Sequence, residues 1–337
     1  PLSKFSYQTL QKCVYPYRGS PDEHVLLGSA FGEDVSLTRV GDHLLASHVD
    51  PIIGAVAHIG RLAVHIACND IAAAGVRPRW ILTLVLIPSP QQEELLEKMM
   101  KDIDHAAREI QVAVIGGHSG YSSGISRPLV AVTALGTASP GDPVLTRGAR
   151  AGDHILVTKG IGLEGTAILA TDFRPTALQL GLREADLDQA AALMEQISVV
   201  EDGLTLAASG ARAMHDVTRG GLLETLLEMA HLSEVGIEIN YHQLPIPPVV
   251  GRFAARFDFD PLRMISSGTL AAAVPPEKLE LSRASLAEKG IAYAAVGRVI
   301  KGSGVRVSRG GNVKVYRDLQ AEVDELARMW EKYPPRP

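Results

Sequence analysis

The strongest constraint on the fold is an alternation of apolar, strand-like runs with amphipathic helices along the 337 residues. Residues 43–49 and 81–87 form apolar runs that predict strands, and the second predicts a fully buried one. Between them, Ile59, Leu62, Ala63 and Ile66 recur at three-to-four spacing within 58–75, which predicts a helix ending near Gly75. This alternation predicts a mixed α/β domain.

The next segments continue the pattern up to residue 138. Residues 91–110 place apolar side chains on one side of a predicted covering helix that follows a Pro-Ser-Pro breaker. Residues 112–117 and 129–138 predict two further strands, the first of which ends in Gly116 and Gly117. The sequence therefore predicts a glycine-rich turn directly after a strand.

A Pro- and Gly-rich stretch without apolar periodicity, residues 139–153, marks the best domain boundary. We expect an N-terminal arm over 1–24, one domain over 25–140 and a second over 150–337. The second domain begins with a strand over 154–160 and helices up to about 209. It continues with strands over 237–241 and 269–274, a helix over 277–290, a strand pair near 292–308, and a final helix from Asp318.

Composition excludes several classes of function. The formal charge is −5 and no basic run occurs, so neither nucleic acid nor an anionic membrane is an expected partner. The most apolar run, 80–87, is too short to cross a bilayer. Two cysteines, Cys13 and Cys68, are too few for a disulfide framework or a cysteine zinc cluster. The expected compartment is the cytoplasm.

The most informative motif for function is the polar turn and helix at residues 215–230. Asp216 can hold a cation, and Thr218 and Arg219 can contact an anion. Gly220 and Gly221 allow backbone N–H groups to approach a ligand closely at a helix N-terminus, where the helix dipole favours phosphate. The motif predicts a polyphosphate and metal site.

Three further aspartates, Asp34, Asp50 and Asp70, also lie in or beside turns next to apolar elements. Phosphoryl transfer uses carboxylates to hold Mg²⁺, because the metal neutralises polyphosphate charge. Taken singly, each aspartate fits better as a cap, a turn former or a solvated charge than as a metal ligand. The predicted metal site over Asp34, Asp50, Asp70 and Asp216 rests on the four contexts together.

Two polar motifs, Asn69–Asp70 and Gly116–Ser119, each have two possible interpretations. Asn69 and Asp70 interrupt an apolar helix face, which indicates either a cation nearby or a hydrogen bond that tethers the helix. Gly116, Gly117, His118 and Ser119 indicate either a phosphate or ribose contact or a simple tight turn. His118 fits a structural role as well as that of a donor or acid near phosphate.

Other nucleotide motifs are incomplete. Gly160, Gly162 and Gly165 have the spacing of a dinucleotide-binding loop, but no acidic residue follows at the end of a second parallel strand. The full phosphate-loop pattern is also missing. Neither cysteine has a local activating signature for nucleophilic catalysis.

Four segments, 58–78, 158–170, 213–230 and 259–270, together resemble the aminoimidazole-ribonucleotide synthetase (PurM-like, AIR synthase related) superfamily. The resemblance is closest to its hydrogenase-maturation (HypE) branch. It implies an N-terminal α/β domain that dimerises through its sheet, a C-terminal α+β domain, and ATP with Mg²⁺ in the cleft between them. The resemblance implies these site residues: Asp34, Asp50, Asp70 and Asp216 as metal ligands, with Asp70, Asp216 and His118 as the catalytic group, and Asn69, Gly116, Gly117, His118, Ser119, Thr218, Arg219, Gly220 and Gly221 around the nucleotide.

The superfamily uses ATP to phosphorylate a carbonyl-type oxygen, which turns it into a leaving group. The hydrogenase-maturation branch does so on a thiocarboxamide carried by its own C-terminal cysteine, and here no cysteine follows Cys68. Where the family usually has two adjacent aspartates, this chain has Glu33 and Asp34. The first hypothesis is thus an ATP- and Mg²⁺-dependent, ligase/dehydratase-like enzyme or phosphotransferase that acts on an oxygen of a small-molecule or partner-borne substrate. The alternatives are a kinase similar to thiamine-monophosphate kinase, a nucleotide-binding assembly protein without turnover, and a structural homodimer.

Overall fold

A computed structural model describes residues 5–52, 58–319 and 324–333 of the chain. Two β-sheets and the helices around them make up this part. The helices are α1 (Tyr7–Cys13), α2 (Ile59–Ala73), α3 (Glu93–Glu109), α4 (Leu163–Thr171), α5 (Arg174–Gln179), α6 (Glu184–Ala191), α7 (Val200–Ala208), α8 (Gly221–Leu232), α9 (Pro248–Phe257), α10 (Leu279–Glu288) and α11 (Glu325–Lys332). None of these helices is both long enough and apolar enough to cross a membrane.

The strands divide into a six-stranded and a seven-stranded sheet. The first sheet has the order β1-β2-β3-β6-β4-β5 and is antiparallel apart from the β4–β5 pair. The second has the order β13-β12-β9-β11-β7-β10-β8. The strands are β1 (Val25–Leu27), β2 (Ser36–Val40), β3 (His43–Ile52), β4 (Pro78–Ile87), β5 (Ala113–Tyr121), β6 (Leu129–Ala138), β7 (His154–Thr158), β8 (Ala213–Asp216), β9 (Gly236–Asn240), β10 (Leu270–Val274), β11 (Tyr293–Ile300), β12 (Gly304–Arg309) and β13 (Asn312–Tyr316).

Helix α2 is the central element, since 14 of its 15 residues are buried. Ala67 and Ile71 pack into the core of the first sheet. Leu62 and Ile66 pack into a different core, together with residues of α4, α6 and α9 such as Phe253. A helix with apolar residues on all sides is buried on all sides. One side of α2 packs on the first sheet, and another packs on helices of the C-terminal half.

The second sheet is covered on both faces. Helix α8 packs on one face, where Leu222 and Leu226 meet Ile237 of β9. Helices α7 and α10 cover the other face over β7, β10 and β8, where Leu206 and Leu286 contact the strands. The α/β and α+β fold class predicted from the sequence is confirmed.

The N-terminal arm contacts both halves of the chain. The ring of Tyr7 in α1 lies 4.6 Å from the ring of Phe31 and 5.6 Å from that of His231 in α8. Phe31 directly precedes the Gly32–Asp34 turn, so the arm lies next to one of the predicted metal-binding segments.

Three details of the predicted elements are wrong. The Gly116–Ser119 segment is not a turn after a strand, because β5 continues through it to Tyr121. Strand β13 was not predicted, although Gly310 and Gly311 connect it to β12 as the turn of a hairpin. The last helix begins at Glu325 and not at Asp318. The side chain of Asp324 caps its N-terminus by accepting a hydrogen bond from Ala327 N. Residues 320–323 lie outside the described part.

Candidate metal and nucleotide site

Separate elements bring the predicted aspartates together. Asp34 lies in the turn before β2, Asp50 on β3, Asp70 in the last turns of α2, and Asp216 at the end of β8. Oxygen atoms of Asp34 and Asp216 and a ring nitrogen of His215 all lie within 4.8 Å of one another. Asp70 is close enough for the charges of Asp34, Asp50 and Asp216 to raise its pKa. The structure thus joins both halves of the chain in one acidic cluster.

His215 is the buried centre of this cluster. Its Nδ1 lies 2.9 Å from Asp34 Oδ2 and 3.6 Å from Asp216 Oδ1, and its Nε2 lies 2.7 Å from Glu228 Oε2 on α8. Burial alone would lower the pKa of the imidazole, but the carboxylates of Asp34, Asp216 and Glu228 outweigh burial and raise it well above its usual value. Sequence reasoning did not single out His215 or Glu228.

The carboxylates of this cluster are buried close to one another. Burial raises the pKa of Asp34 to about 6, and burial with the nearby aspartates raises that of Asp70 well above its usual value. Both carboxylate oxygens of the fully buried Asp216 are without a hydrogen-bond partner among the described residues. A buried carboxylate in this condition is costly, so the donor set fits a divalent cation.

His48 connects two of the predicted ligands. Its Nδ1 donates a hydrogen bond to the backbone oxygen of Asp34, and its Nε2 lies 3.4 Å from Asp70 Oδ2. His48 and Asp50 are two residues apart on β3, so both side chains point to the face that packs on α2. The two-residue spacing from Asp50 is the sequence signal that could have identified His48 as a residue of the site.

Asn69 tethers helix α2 through hydrogen bonds, which was one of the two interpretations of the Asn69–Asp70 motif. Its Nδ2 donates to the backbone oxygen of Ile197 at 2.7 Å, and its Oδ1 accepts from Val199 N at 2.8 Å. The side chain is completely buried. It therefore fixes α2, and with it the neighbouring Asp70, against the loop before α7.

Glu33, which precedes Asp34, binds away from the cluster. Its Oε2 accepts a hydrogen bond from Thr146 N at 3.1 Å, and its Oε1 lies 3.0 Å from Arg147 Nε. Burial raises the pKa of this carboxyl. This side chain thus anchors the Asp34 turn to the segment between the two sheets.

The turn before α8 is tightly packed. Gly221 has φ +66°, and a Cβ on it would lie 2.5 Å from the backbone oxygen of Leu262, so this position requires glycine. The N–H of Gly220 donates to Asp324 Oδ2 at 3.1 Å. Where the sequence predicted a ligand for this N–H, the structure provides a carboxylate of the same chain.

Thr218 and Arg219 of the same turn are half-buried. Near Arg219, burial raises the pKa of Glu164 on α4 to about 7, against the lowering effects of Ser267 and of the Arg219 charge. The turn therefore has a cationic side chain beside a buried acid.

The Gly116–Ser119 segment does not join the acidic cluster within one copy of the chain. It lies in β5, an exposed strand at the edge of the first sheet. Asp50 pairs with Val132, Val132 with Thr83, and Thr83 with Gly117. At about 4.8 Å per strand, Gly117 lies roughly 14 Å across the sheet from Asp50. A Cβ on Gly117 would lie 2.0 Å from Thr83 O, so this glycine permits the close pairing of β4 and β5.

Family profiles match both halves of the chain. The profile described as AIR synthase related protein, N-terminal domain, covers residues 32–138, and that of the C-terminal domain covers 150–310. The chain belongs to the AIR synthase related protein family. This assignment confirms the resemblance found in the four sequence segments.

Relatives within this family include proteins named for hydrogenase maturation. A Methanocaldococcus jannaschii protein named for hydrogenase expression/formation is 31% identical over 257 residues, which cover 74% of this chain and 73% of the relative. The carbamoyl dehydratase HypE of Escherichia coli is 29% identical over 294 residues, 84% of either chain.

Solved structures of AIR synthase related proteins share the fold. The crystal structure of E. coli HypE has 26% identity and a TM-score of 0.70, covering 81% of this chain and 84% of that one. Thiamine-monophosphate kinase from Stenotrophomonas maltophilia has 25% identity and a TM-score of 0.68, covering 85% and 92%. A HypE crystal structure in complex with ATP has 22% identity and a TM-score of 0.69, covering 94% and 96%, and shows the fold alone.

Proposed function

We propose that this protein is an ATP- and divalent-cation-dependent enzyme that phosphorylates an oxygen atom of a small-molecule or partner-borne substrate. The observation that carries the proposal is the buried cluster of Asp34, Asp70 and Asp216, contributed by both halves of the chain. Relatives support the nucleotide, since one HypE was crystallised with ATP and a ThiL protein with AMPPCP and TMP.

In this proposal, Asp34, Asp50, Asp70 and Asp216 hold the cations, with Mg²⁺ as the ion that accompanies ATP. A cation bound there neutralises the polyphosphate charge and the charge of the buried carboxylates together. Asp70 and Asp216 are the proposed catalytic residues, because they are the two buried residues of the four. Phosphorylation of a carbonyl-type oxygen makes it a leaving group, and dehydration or cyclisation can follow.

Thr218 and Arg219 are the proposed phosphate contacts of the turn before α8, with Gly220 and Gly221. The partial burial of Arg219 supports this role, because a guanidinium shielded from water binds phosphate oxygens more strongly. The N–H of Gly220 becomes available to a phosphate only when Asp324 moves away from it.

We also propose the domain division 25–140 and 150–337 and a homodimer formed through the first sheet. The two family profiles and the two separate sheets support the division. The dimer is supported by an apolar surface on the edge strand and its neighbour, where Leu82, Leu84, Val114 and Ile115 are exposed. A dimer would bring His118 and Ser119 of one copy towards its partner.

Two other candidate functions have an observation in their favour. A small-molecule kinase is favoured by the likeness to thiamine-monophosphate kinase. A nucleotide-binding assembly protein without turnover is favoured by relatives named for hydrogenase expression and maturation, one of which was crystallised as a HypE–HypF complex. Steady release of ADP with a substrate distinguishes an enzyme from an assembly protein.

The deciding experiment measures thermal unfolding with a non-hydrolysable ATP analogue, with Mg²⁺ or with EDTA. A ligand at 100 times its Kd adds about 2.7 kcal/mol to the free energy of unfolding. We expect this gain with Mg²⁺, its loss in EDTA and in Asp70→Asn, and its retention in the control Asp42→Asn, which changes an exposed aspartate. An equal response of Asp70→Asn and the wild type would refute the proposed site.

A further inference from the structure

One part of the acidic cluster contains a nitrogen donor, the imidazole ring of His215, beside Asp34 and Asp216. His215 Nδ1 is buried between Asp34 and Asp216, and it lies close to Asp34 Oδ2 without the alignment of a hydrogen bond. We infer that Asp34, His215 and Asp216 form a mixed nitrogen and oxygen site that selects a divalent transition-metal ion, such as Mn²⁺ or Co²⁺, over Mg²⁺. This inference refines the proposed function, on which it rests for the role of the ion.

Glu228 fixes the orientation of the ring. An ionised carboxylate has no hydrogen to donate and can only accept hydrogen bonds. Nε2 of His215 therefore carries the hydrogen that Glu228 Oε2 accepts at 2.7 Å. Nδ1 is then the ring nitrogen that faces the two aspartates, and a metal ion that binds it replaces the proton held there by these carboxylates. Metal-binding histidines commonly have such a carboxylate behind the ring, and it raises the basicity of the ligand nitrogen.

The separations of the three donor atoms fit one ion. Neighbouring ligands of an octahedral ion, each about 2.1 Å from it, lie about 3 Å apart, and tetrahedral ligands lie slightly further apart. The observed 2.9 Å and 3.6 Å from Nδ1 to the two carboxylates agree with these values. Asp216 provides the independent sign of a ligand, since both of its buried oxygens are without a hydrogen-bond partner among the described residues.

The choice of ion follows from the donor types. Imidazole nitrogen suits transition metals, whereas Mg²⁺ prefers oxygen donors and gives up its water reluctantly. Asp50 and Asp70 themselves add oxygen donors, which suit the Mg²⁺ that accompanies ATP.

The test titrates the full-length protein with Co²⁺, Mn²⁺ and Mg²⁺ in the absence of nucleotide. We expect the wild type to show nitrogen coupling to bound Mn²⁺ in pulsed EPR and visible absorption bands of bound Co²⁺. His215→Gln should remove the nitrogen coupling and reduce the preference for Co²⁺ over Mg²⁺ by about 10-fold or more, because an amide is an oxygen donor. The control is His105→Gln, which changes an exposed histidine on α3.

A second variant keeps the test decisive if His215→Gln does not fold. Glu228→Gln retains the shape of the side chain, and we expect it to lower Co²⁺ affinity about 10- to 100-fold with a smaller effect on Mg²⁺. The inference is overturned if wild-type Mn²⁺ shows no nitrogen coupling, or if coupling persists in His215→Gln, which would assign the nitrogen to His48. Failure of ATP turnover with these metal results intact would refute the proposed function alone.

Discussion

The acidic cluster and the edge strand β5 both contain residues that the sequence assigned to one site, but their surroundings are opposite. The cluster assembles Asp34, Asp70 and Asp216 from three elements and buries them. Strand β5 presents His118 and Ser119 on a single exposed element at the border of the first sheet. Within the cluster, neighbouring carboxylates raise one another's pKa values.

The difference shows that a glycine pair does not by itself identify a phosphate site. Gly220 and Gly221 begin a helix beside the buried cluster, whereas Gly116 and Gly117 lie inside a strand. In both places a backbone oxygen of a neighbouring segment fills the space that a side chain would need. Glycine is required there for packing, and binding chemistry depends on what surrounds it.

The largest expected effect comes from adding a methyl group at these glycines. Gly221→Ala and Gly117→Ala should each lower the free energy of unfolding by about 3 kcal/mol or more, because the new Cβ would overlap a backbone oxygen. Gly41→Ala is the matched control, since Gly41 also has positive φ but has open space around it, and it should cost only about 1 kcal/mol. Urea denaturation measures all three, and equal losses would attribute the effect to backbone conformation alone.

The next effect separates the two regions by ligand binding. His118→Ala should retain the Mg²⁺-dependent stabilisation by an ATP analogue, about 2.7 kcal/mol at 100 times Kd, because His118 lies far from the cluster within one copy. Asp216→Asn should lose it. Loss of the response in His118→Ala, together with a dimer in sedimentation, would contradict the separation and place β5 of one copy at the site of the other.

The smallest effect concerns the buried acid beside the α8 turn. Burial raises the pKa of Glu164 to about 7, above its usual 4.5. Its contribution to stability is therefore fully present below pH 4.5 and is lost as the pH rises through 7. Glu164→Gln should exceed the wild type in stability by on the order of 2 kcal/mol at pH 8 and match it near pH 4.5. An equal difference at both pH values would show that Glu164 does not titrate in this range; exposed Glu97→Gln is the control.

The sequence was sufficient for elements with strong periodicity. Helix α2 and strands β3, β4 and β6 follow from apolar spacing that local structure largely determines. Hairpin strand β13 was missed because its residues are mostly exposed and lack a buried face. The start of the last helix depended on the capping contact of Asp324, which follows a segment without clear periodicity.

The site was predictable only in part. The four aspartates were proposed because the sequence indicated a turn at or beside each of them, but the contact of His215 with Glu228 depends on how α8 packs against β8. The contact of His215 with Asp34 joins residues 181 positions apart in the sequence. Pairings of this kind follow from the relative placement of the two halves, which no local pattern encodes.

The tether made by Asn69 has a consequence for how such chains diverge. Its amide binds only backbone atoms, of residues 197 and 199, so the hydrogen bonds do not depend on which side chains this loop carries. The side chains of Ile197 and Val199 are fully buried, so packing restricts them, while the amide on α2 has no equivalent replacement. Divergence at this joint is therefore restricted on the loop by packing, and on α2 by the hydrogen bonds that hold the helix, and with it Asp70, in place.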